Sequence, residues 1–252
     1  MLAALLMVGM SGMAQHARFV GEGVIEYEKK INMYAKIKKR INKENEMYMS
    51  KVYDQFVKNQ PQFTTVKSNL VFTTAKSLYT PVVVTVNAQN SAFGMDPNGN
   101  QPNHVFTDFS SGLSTIQKSI FEETYLVKDS MRQITWKLTG ETREIAGYQC
   151  RRANGLMLDS VYVVAFYSEE IPVSGGPESF GGLPGMILGV ALPYENVTWF
   201  ATQVFDKTVD KAAIKAPQKG KLMTFNDLKK RLNELVKRWG DEARSMLLDY
   251  LI

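Results

Sequence analysis

Apolar and polar residues alternate with a period of two along much of the chain, which is the pattern of β-strands that bury one face. Ile25, Tyr27 and Ile31 alternate with polar or charged neighbours in the first such segment. The same alternation returns at 66–72 and at 134–138. We therefore predict strands in these three segments, each with one face exposed to water.

The second half of the chain has the pattern of closely spaced strands. Residues 161–167 are almost all apolar or aromatic, which predicts a central strand that is buried on both faces. Residues 186–192 and 197–205 predict a further pair of strands, joined around Pro193. Strands that follow one another without intervening helices favour an antiparallel sheet.

Two dipeptides predict turns beyond the 134–138 strand. They are Thr139-Gly140 and Ala146-Gly147, in which glycine supplies the conformational freedom that a tight turn requires. Each is expected to separate one short strand from the next.

Two segments carry the period of a helix. Between Lys43 and Lys58 four apolar residues share a helical face, and Pro61 ends the pattern. Thr224 and Asp227 have the spacing of a capping box, and an apolar stripe follows them, interrupted by a glycine. The two stripes are Met47, Val52, Phe56 and Val57, and then Leu228, Leu232, Leu235, Trp239, Ala243, Met246 and Tyr250. The predicted fold is α+β and β-dominated: a curved antiparallel sheet or half-barrel with an early short helix and a C-terminal amphipathic helix.

The first residues have the character of a targeting segment. Residues 1–14 are apolar and uncharged, and Gly12 and Ala14 occupy the −3 and −1 positions of a cleavage site before Gln15, although a basic n-region is missing. We predict a signal peptide (1–14), a β-rich domain (15–209) and a linker with a C-terminal helical tail (210–252). The mature chain is expected to be exported, periplasmic or extracellular, with no transmembrane segment.

Composition narrows the chemistry. Hydrophobic residues make up 44% of the chain, enough for a packed core, and the net charge of +5 is mildly basic. Seven basic residues and no acid lie between Lys29 and Lys43, a run that we interpret as a solvated face. The single cysteine, Cys150, excludes an intrachain disulfide and a multi-thiolate zinc site. We predict no cofactor, no metal site and no nucleic-acid partner.

The most distinctive segment is the glycine-rich run 171–192. Five of its residues between 175 and 185 are glycines, which predicts a loop whose backbone packs closely against its neighbours. Leu183-Pro184-Gly185 fits a type II turn in which Gly185 takes a positive φ. A phosphate-binding loop is not supported, because neither Lys-Ser nor Lys-Thr follows and the next segment has the pattern of a strand.

The end of this loop resembles the six residues that name the GLPGLI family of exported proteins, with Met in place of one Leu. Those positions are Gly182, Leu183, Pro184, Gly185, Met186 and Ile187. Upstream, Trp136 and the positions Gly147, Tyr148 and Cys150 resemble the family's Trp element and its Ile-x-Gly-Tyr-x-Cys segment. The resemblance implies an exported protein of a kind typical of Bacteroidota, and it brings no established activity or catalytic residue.

Two hypotheses of function remain. The first is a non-catalytic envelope protein that binds an apolar or peptide ligand on the concave face of the sheet, or assists another envelope protein. Its pocket would be lined by aromatic residues and Met, with few perturbed ionisable groups. The second is a hydrolase whose site is built around His104, in a predicted loop at 94–104, with Asp108 or Glu122.

Cys150 is expected to be a buried apolar-like side chain, and Trp136 a core residue.

Overall fold

The computed structural model describes residues 19–82, 102–120, 122–158, 160–239 and 247–252. The predicted signal peptide (1–14) and most of the predicted 94–104 loop lie outside these ranges. The β-branched run at 81–86 is described only as far as Val82. In the described ranges no helix is long and apolar enough to cross a membrane.

Within the described residues, one open, curved sheet of twelve strands forms the framework. The strands are β1 (Gly23–Asn32), β2 (Phe63–Phe72), β3 (Lys76–Pro81), β4 (His104–Asp108), β5 (Leu113–Ile120), β6 (Glu123–Ser130), β7 (Thr135–Ile145), β8 (Tyr148–Met157), β9 (Val161–Ser168), β10 (Met186–Leu192), β11 (Val197–Asp206) and β12 (Lys221–Met223). Their order across the sheet is β12-β6-β5-β4-β3-β2-β1-β11-β10-β9-β8-β7. Neighbours pair antiparallel except β12, which runs parallel to β6. The predicted β-dominated class is therefore confirmed.

Three helices accompany the sheet in the same ranges. They are α1 (Met33–Lys39), α2 (Glu46–Asn59) and α3 (Phe225–Trp239), and residues 247–251 are helical as well. α2 and α3 confirm the two predicted helices. α1 lies where the sequence predicted only the end of a strand and a basic run, and the side chain of Asn32 caps it by accepting a hydrogen bond from the Ala35 N–H at 3.1 Å.

The strands bury the faces that the alternation predicted. Ile25, Tyr27 and Ile31 of β1 are at most 1% exposed, while Glu26 and Lys30 on the opposite face are exposed. α3 and the residues near 250 pack on the buried face, because Leu228, Leu232, Tyr250 and Leu251 belong to the same core. The covered face of the sheet is thus where polar groups would be enclosed.

Two local predictions are wrong. Thr139-Gly140 forms no turn: β7 continues through it, and the register with β8 shifts between Leu138 and Thr142. The loop expected to run to His104 ends earlier, because His104 already begins β4. Ala146-Gly147, by contrast, is the predicted turn, with φ of 52° and 84°.

The basic run is only partly a solvated face. Lys29 and Lys36 are each 6% exposed. Lys29 lies on the same face of β1 as Tyr27 and Ile31, with its ammonium 5.0 Å from the ring centre of Trp199. Lys36 forms a buried ion pair with Asp249 at 2.9 Å. Lys29 is enclosed because the strand period places it on the buried face of β1. Lys36 is enclosed because the C-terminal residues, Asp249 among them, pack against it.

Candidate functional site

The glycine-rich loop connects β9 to β10 and packs tightly against them. A Cβ at Gly185 would lie 2.1 Å from the Ser168 carbonyl oxygen, and one at Gly176 would lie 2.8 Å from Cβ of Ile187. Positive φ in this region occurs at Glu178 (50°) and Gly182 (86°), and Gly185 has none. The predicted type II turn with Gly185 at positive φ is therefore wrong: Gly185 is required by close backbone approach.

The motif residues of this loop anchor the structure. Leu183, Met186 and Ile187 are buried, and Pro184 is exposed. The Ile187 carbonyl accepts a hydrogen bond from the Tyr27 hydroxyl at 2.6 Å, which ties the loop's end to β1. These contacts stabilise the loop and present no reactive group.

Trp136 holds the other side of the loop. Its indole N–H donates to the Gly181 carbonyl at 2.9 Å, and its ring covers Gly155 of β8, where a Cβ would lie 2.7 Å from the ring. The ring is half-buried, so it forms the edge of the core and is less enclosed than predicted. Trp136 therefore links the edge strand β7 to the glycine-rich loop.

The second group of motif residues surrounds the β7–β8 turn. Gly147 is in the turn, Tyr148 is half-buried at the start of β8, and Cys150 is fully buried. Burial, with a smaller effect of the Glu170 carboxylate, raises the pKa of the Cys150 thiol to about 12. The thiol is therefore neutral at ordinary pH, as expected of a buried apolar-like cysteine.

The structure does not bring the hydrolase residues together. His104 and Asp108 stand at opposite ends of β4, four residues or about 13 Å apart. Asp108 accepts the backbone N–H groups of Ser110 and Ser111. Glu122 is exposed in the turn after β5, five residues beyond Gln117, the partner of His104. This arrangement gives no nucleophile, base and orienting group within hydrogen-bond reach.

A cavity of about 290 Å³ lies between the ends of β5 and β6, the beginning of α3 and the glycine-rich loop. Its lining contains both apolar and polar residues. The apolar residues are Ile116, Val127, Met131, Leu158 and Phe225, and the polar residues are Ser114, Asp129, Ser130, Arg132, Gln133, Ser179 and Asn226. Its volume is at the small end of the range for ligand sites.

A second, smaller cavity of about 20 Å³ adjoins the first. The two share Ser114, Met131, Arg132 and Ser179, and Glu178 lines the smaller one. About one water molecule fits such a volume. Arg132 is therefore at the junction, between a ligand-sized space and an enclosed carboxylate.

Arg132 is held mainly by groups without charge. Its Nη2 donates to the Leu251 carbonyl at 2.6 Å, Nη1 lies 3.5 Å from Sδ of Met157, and the guanidinium is 5.5 Å from the ring centre of Phe225. Among the described residues no carboxylate lies within 4.0 Å of it. Burial lowers the pKa of Arg132 to about 10, an effect that the more distant Glu178 partly opposes.

Two further ionisable groups are enclosed behind Arg132. Lys118, 1% exposed, donates to the Tyr250 carbonyl at 3.0 Å, and Glu178, 5% exposed, accepts from the Asn103 amide at 3.1 Å. Burial lowers the pKa of Lys118 to about 7; Glu178 opposes this shift, and the charges of Arg132 and Lys29 add to it. Arg132 at the cavity wall and the enclosed Lys118 are thus the two ionisable groups whose pKa burial lowers here.

The sequence contained a signal for one of these residues. Lys118 follows Ile116 and precedes Ile120 at a spacing of two, so the strand period alone places it on the buried face of β5. Arg132 and Glu178 lie in connections between strands, where the sequence has no hydrophobic periodicity. Nothing in their sequence context distinguishes them from other polar residues. In the described residues no group of three or more His, Cys, Asp or Glu side chains is placed to hold a metal ion.

Comparison with known proteins gives a short family match and a shared fold. Residues 155–189, from the end of β8 to β10, match the model of a family described as "Protein of unknown function (Porph_ging)". Two solved structures of PNGF-II, in the P21 and C2 space groups, share the fold at TM-scores of 0.50 and 0.51, with 16% and 13% identity. They align with 84% and 83% of this chain, which spans only 33% and 32% of the length of PNGF-II. A search of curated proteins gives no match.

Proposed function

We propose that the protein is a non-catalytic binding or accessory protein, and that its ligand occupies the 290 Å³ cavity on the covered face of the sheet. The observation that carries this proposal is the cavity itself, which has an apolar wall and a small set of convergent polar groups. It is lined by the β5–β6 pair with residues 131–133 that follow it, by Leu158 after β8, by the glycine-rich loop and by the start of α3.

Two other observations support a binding role. His104, Asp108 and Glu122 do not converge, and the Cys150 thiol is buried and neutral. An apolar or peptide-like ligand fits the apolar wall formed by Ile116, Val127 and Phe225.

We propose further that the protein is exported. The support is the apolar, uncharged segment 1–14 with small residues at positions 12 and 14. Expression of the full chain in a Gram-negative host, followed by N-terminal sequencing of the periplasmic fraction, tests this. We expect a mature protein beginning at Gln15; a full-length chain confined to the cytoplasm contradicts it.

Titration calorimetry with N-acetyl-leucine tests the proposed site. This probe carries an apolar side chain and a carboxylate and is small enough for the cavity. Ser179→Phe places a large ring in the space that both cavities share, so we expect it to abolish heat of binding. Ser110→Phe, in the exposed β4–β5 turn, is the matched control and should bind as the wild type does. Absence of binding by the wild type, or equal binding by Ser179→Phe with an intact fold, contradicts the proposal.

A further inference from the structure

We propose that the ligand of this cavity carries a carboxylate, which the guanidinium of Arg132 binds; this inference rests on the proposed function of the cavity. Arg132 lines the cavity wall and places a permanent positive charge there. The ligand that fits both parts of the wall is a small molecule with one carboxylate and one apolar group, such as the end of a peptide.

The first argument is the unmatched charge of Arg132. A guanidinium has five N–H donors, and here they engage one carbonyl and one thioether. Arg132 is half-buried, and a charge that is partly removed from water gains from a partner of opposite charge. Within the described part of the chain no carboxylate contacts the guanidinium of Arg132. A bound carboxylate would supply the missing partner with the bidentate geometry that arginine favours.

The second argument is that the nearby acids are engaged elsewhere. Asp129, which also lines the cavity, accepts the backbone N–H of Ser130 at 2.8 Å and that of Phe225 at 3.0 Å. The Asp129 carboxylate therefore lies at the beginning of α3 and is held there by backbone N–H groups. Glu178 is on the far side of the smaller cavity and accepts from Asn103. Both acids have partners that hold them away from the guanidinium.

The third argument is the charge behind the site. Lys118 and Arg132 are enclosed with one carboxylate, Glu178, and no two of the three form an ion pair within 4.0 Å. When Lys118 is protonated, it and Arg132 place two positive charges beside Glu178, while Asp129 adds a second carboxylate at the cavity wall. An anion entering the cavity would lower the repulsion between the two cations, because it interacts favourably with both.

The fourth argument concerns the remainder of the ligand. Phe225 packs beside the guanidinium, and Ile116, Val127 and Leu158 are further apolar residues that line the cavity. A free inorganic anion would leave this surface in contact with water. A carboxylate that carries an apolar side chain satisfies both halves of the wall.

The test compares N-acetyl-leucine with N-acetyl-leucinamide, which has the same shape and lacks the charge. Calorimetry on the full chain at pH 7 should show the acid binding about tenfold or more tightly than the amide. Equal affinities would overturn the carboxylate inference and leave the proposed function standing. Failure of both probes to bind would overturn both proposals.

Arg132→Met tests the residue. Methionine replaces the arginine stem without its charge, and replacing a buried charge by an apolar residue is often neutral for stability. We expect the acid to bind this variant no more tightly than the amide does, while the amide binds as it does to the wild type. Arg152→Met, which removes a partly exposed arginine paired with Glu141, is the control and should keep the preference. Retention of the preference by folded Arg132→Met contradicts the inference; if that variant does not fold, the acid–amide comparison on the wild type decides it.

Discussion

Single glycines determine how closely the loop after β9 approaches the sheet. Gly185 has an ordinary φ, and what it provides is the missing side chain beside the Ser168 carbonyl. The sequence indicated that this residue would be special and gave the wrong reason, because the turn type cannot be derived from Leu-Pro-Gly without knowing which backbone lies against it. Gly182, at a φ of 86°, carries the conformational requirement instead.

Gly185→Ala should therefore be strongly destabilising. Its Cβ would meet backbone at 2.1 Å, and backbone cannot rotate out of the way as a side chain can. We expect the free energy of unfolding to fall by about 3 kcal/mol or more, measured by urea denaturation. Gly140→Ala is the matched control, since nothing lies within 4 Å of its added Cβ, and its effect should stay within about 0.5 kcal/mol. Equal stability of the two variants would show that the loop does not pack as described.

Cys150 gives a second prediction at this scale. The side chain is fully buried and burial raises the pKa of its thiol to about 12, so little thiolate is available for reaction. We expect the native protein to react with a thiol-specific disulfide reagent at least a hundredfold more slowly than the protein in denaturant. Rapid reaction of the native protein at pH 8 would mean that Cys150 is accessible and that a nucleophilic role must be reconsidered.

Among the helices and strands, those with a strong hydrophobic periodicity could be predicted from the sequence. β1, β9 and α3 follow the alternation or the helical stripe of their sequences, and the capping box of α3 forms as predicted, with the Asp227 N–H donating to Oγ1 of Thr224 at 3.2 Å. The strands β4 and β12 were not predicted, because five and three residues are too few to establish a period. β5 and β6, of eight residues each, were not predicted either. The cavity is bounded by connections as much as by strands, so its residues carried little periodic signal.

Trp136 provides a test of the link between β7 and the glycine-rich loop. Trp136→Phe keeps an aromatic ring over Gly155 and removes the N–H that donates to Gly181. Because the carbonyl loses its donor at a half-buried position, we expect a loss of about 1 kcal/mol in the free energy of unfolding. Tyr194→Phe, an aromatic change at a residue that is 71% exposed, is the control and should have little effect. A neutral Trp136→Phe would remove this hydrogen bond from the account of the loop.

For the molecule as a whole, the enclosed Lys118 makes stability depend on pH. Its pKa is about 7 in the folded protein and its ordinary value is 10.5, so the unfolded state binds more protons between these values. The cost of burying the charged lysine is present in full below pH 7 and decreases as the pH rises toward 10.5. Glu178, Arg132 and Lys29 are the charged groups that act on it.

We therefore expect the wild type to gain about 2 kcal/mol in the free energy of unfolding between pH 6.5 and 8.5. Lys118→Met should lose most of this gain, because the group that titrates is absent. Urea denaturation of both proteins at the two pH values measures the difference, below the range where Arg132 titrates. Parallel pH profiles for the two proteins would show that Lys118 is not the group responsible.

The crystal structure of the protein grown with N-acetyl-leucine is the most direct test of the central claim, that the cavity is the ligand site. We predict density for the probe in the cavity that Phe225 and Arg132 line, with its carboxylate at the guanidinium and its side chain toward Ile116. A cavity that contains only ordered water, while the probe is bound at another surface or absent, would contradict the claim.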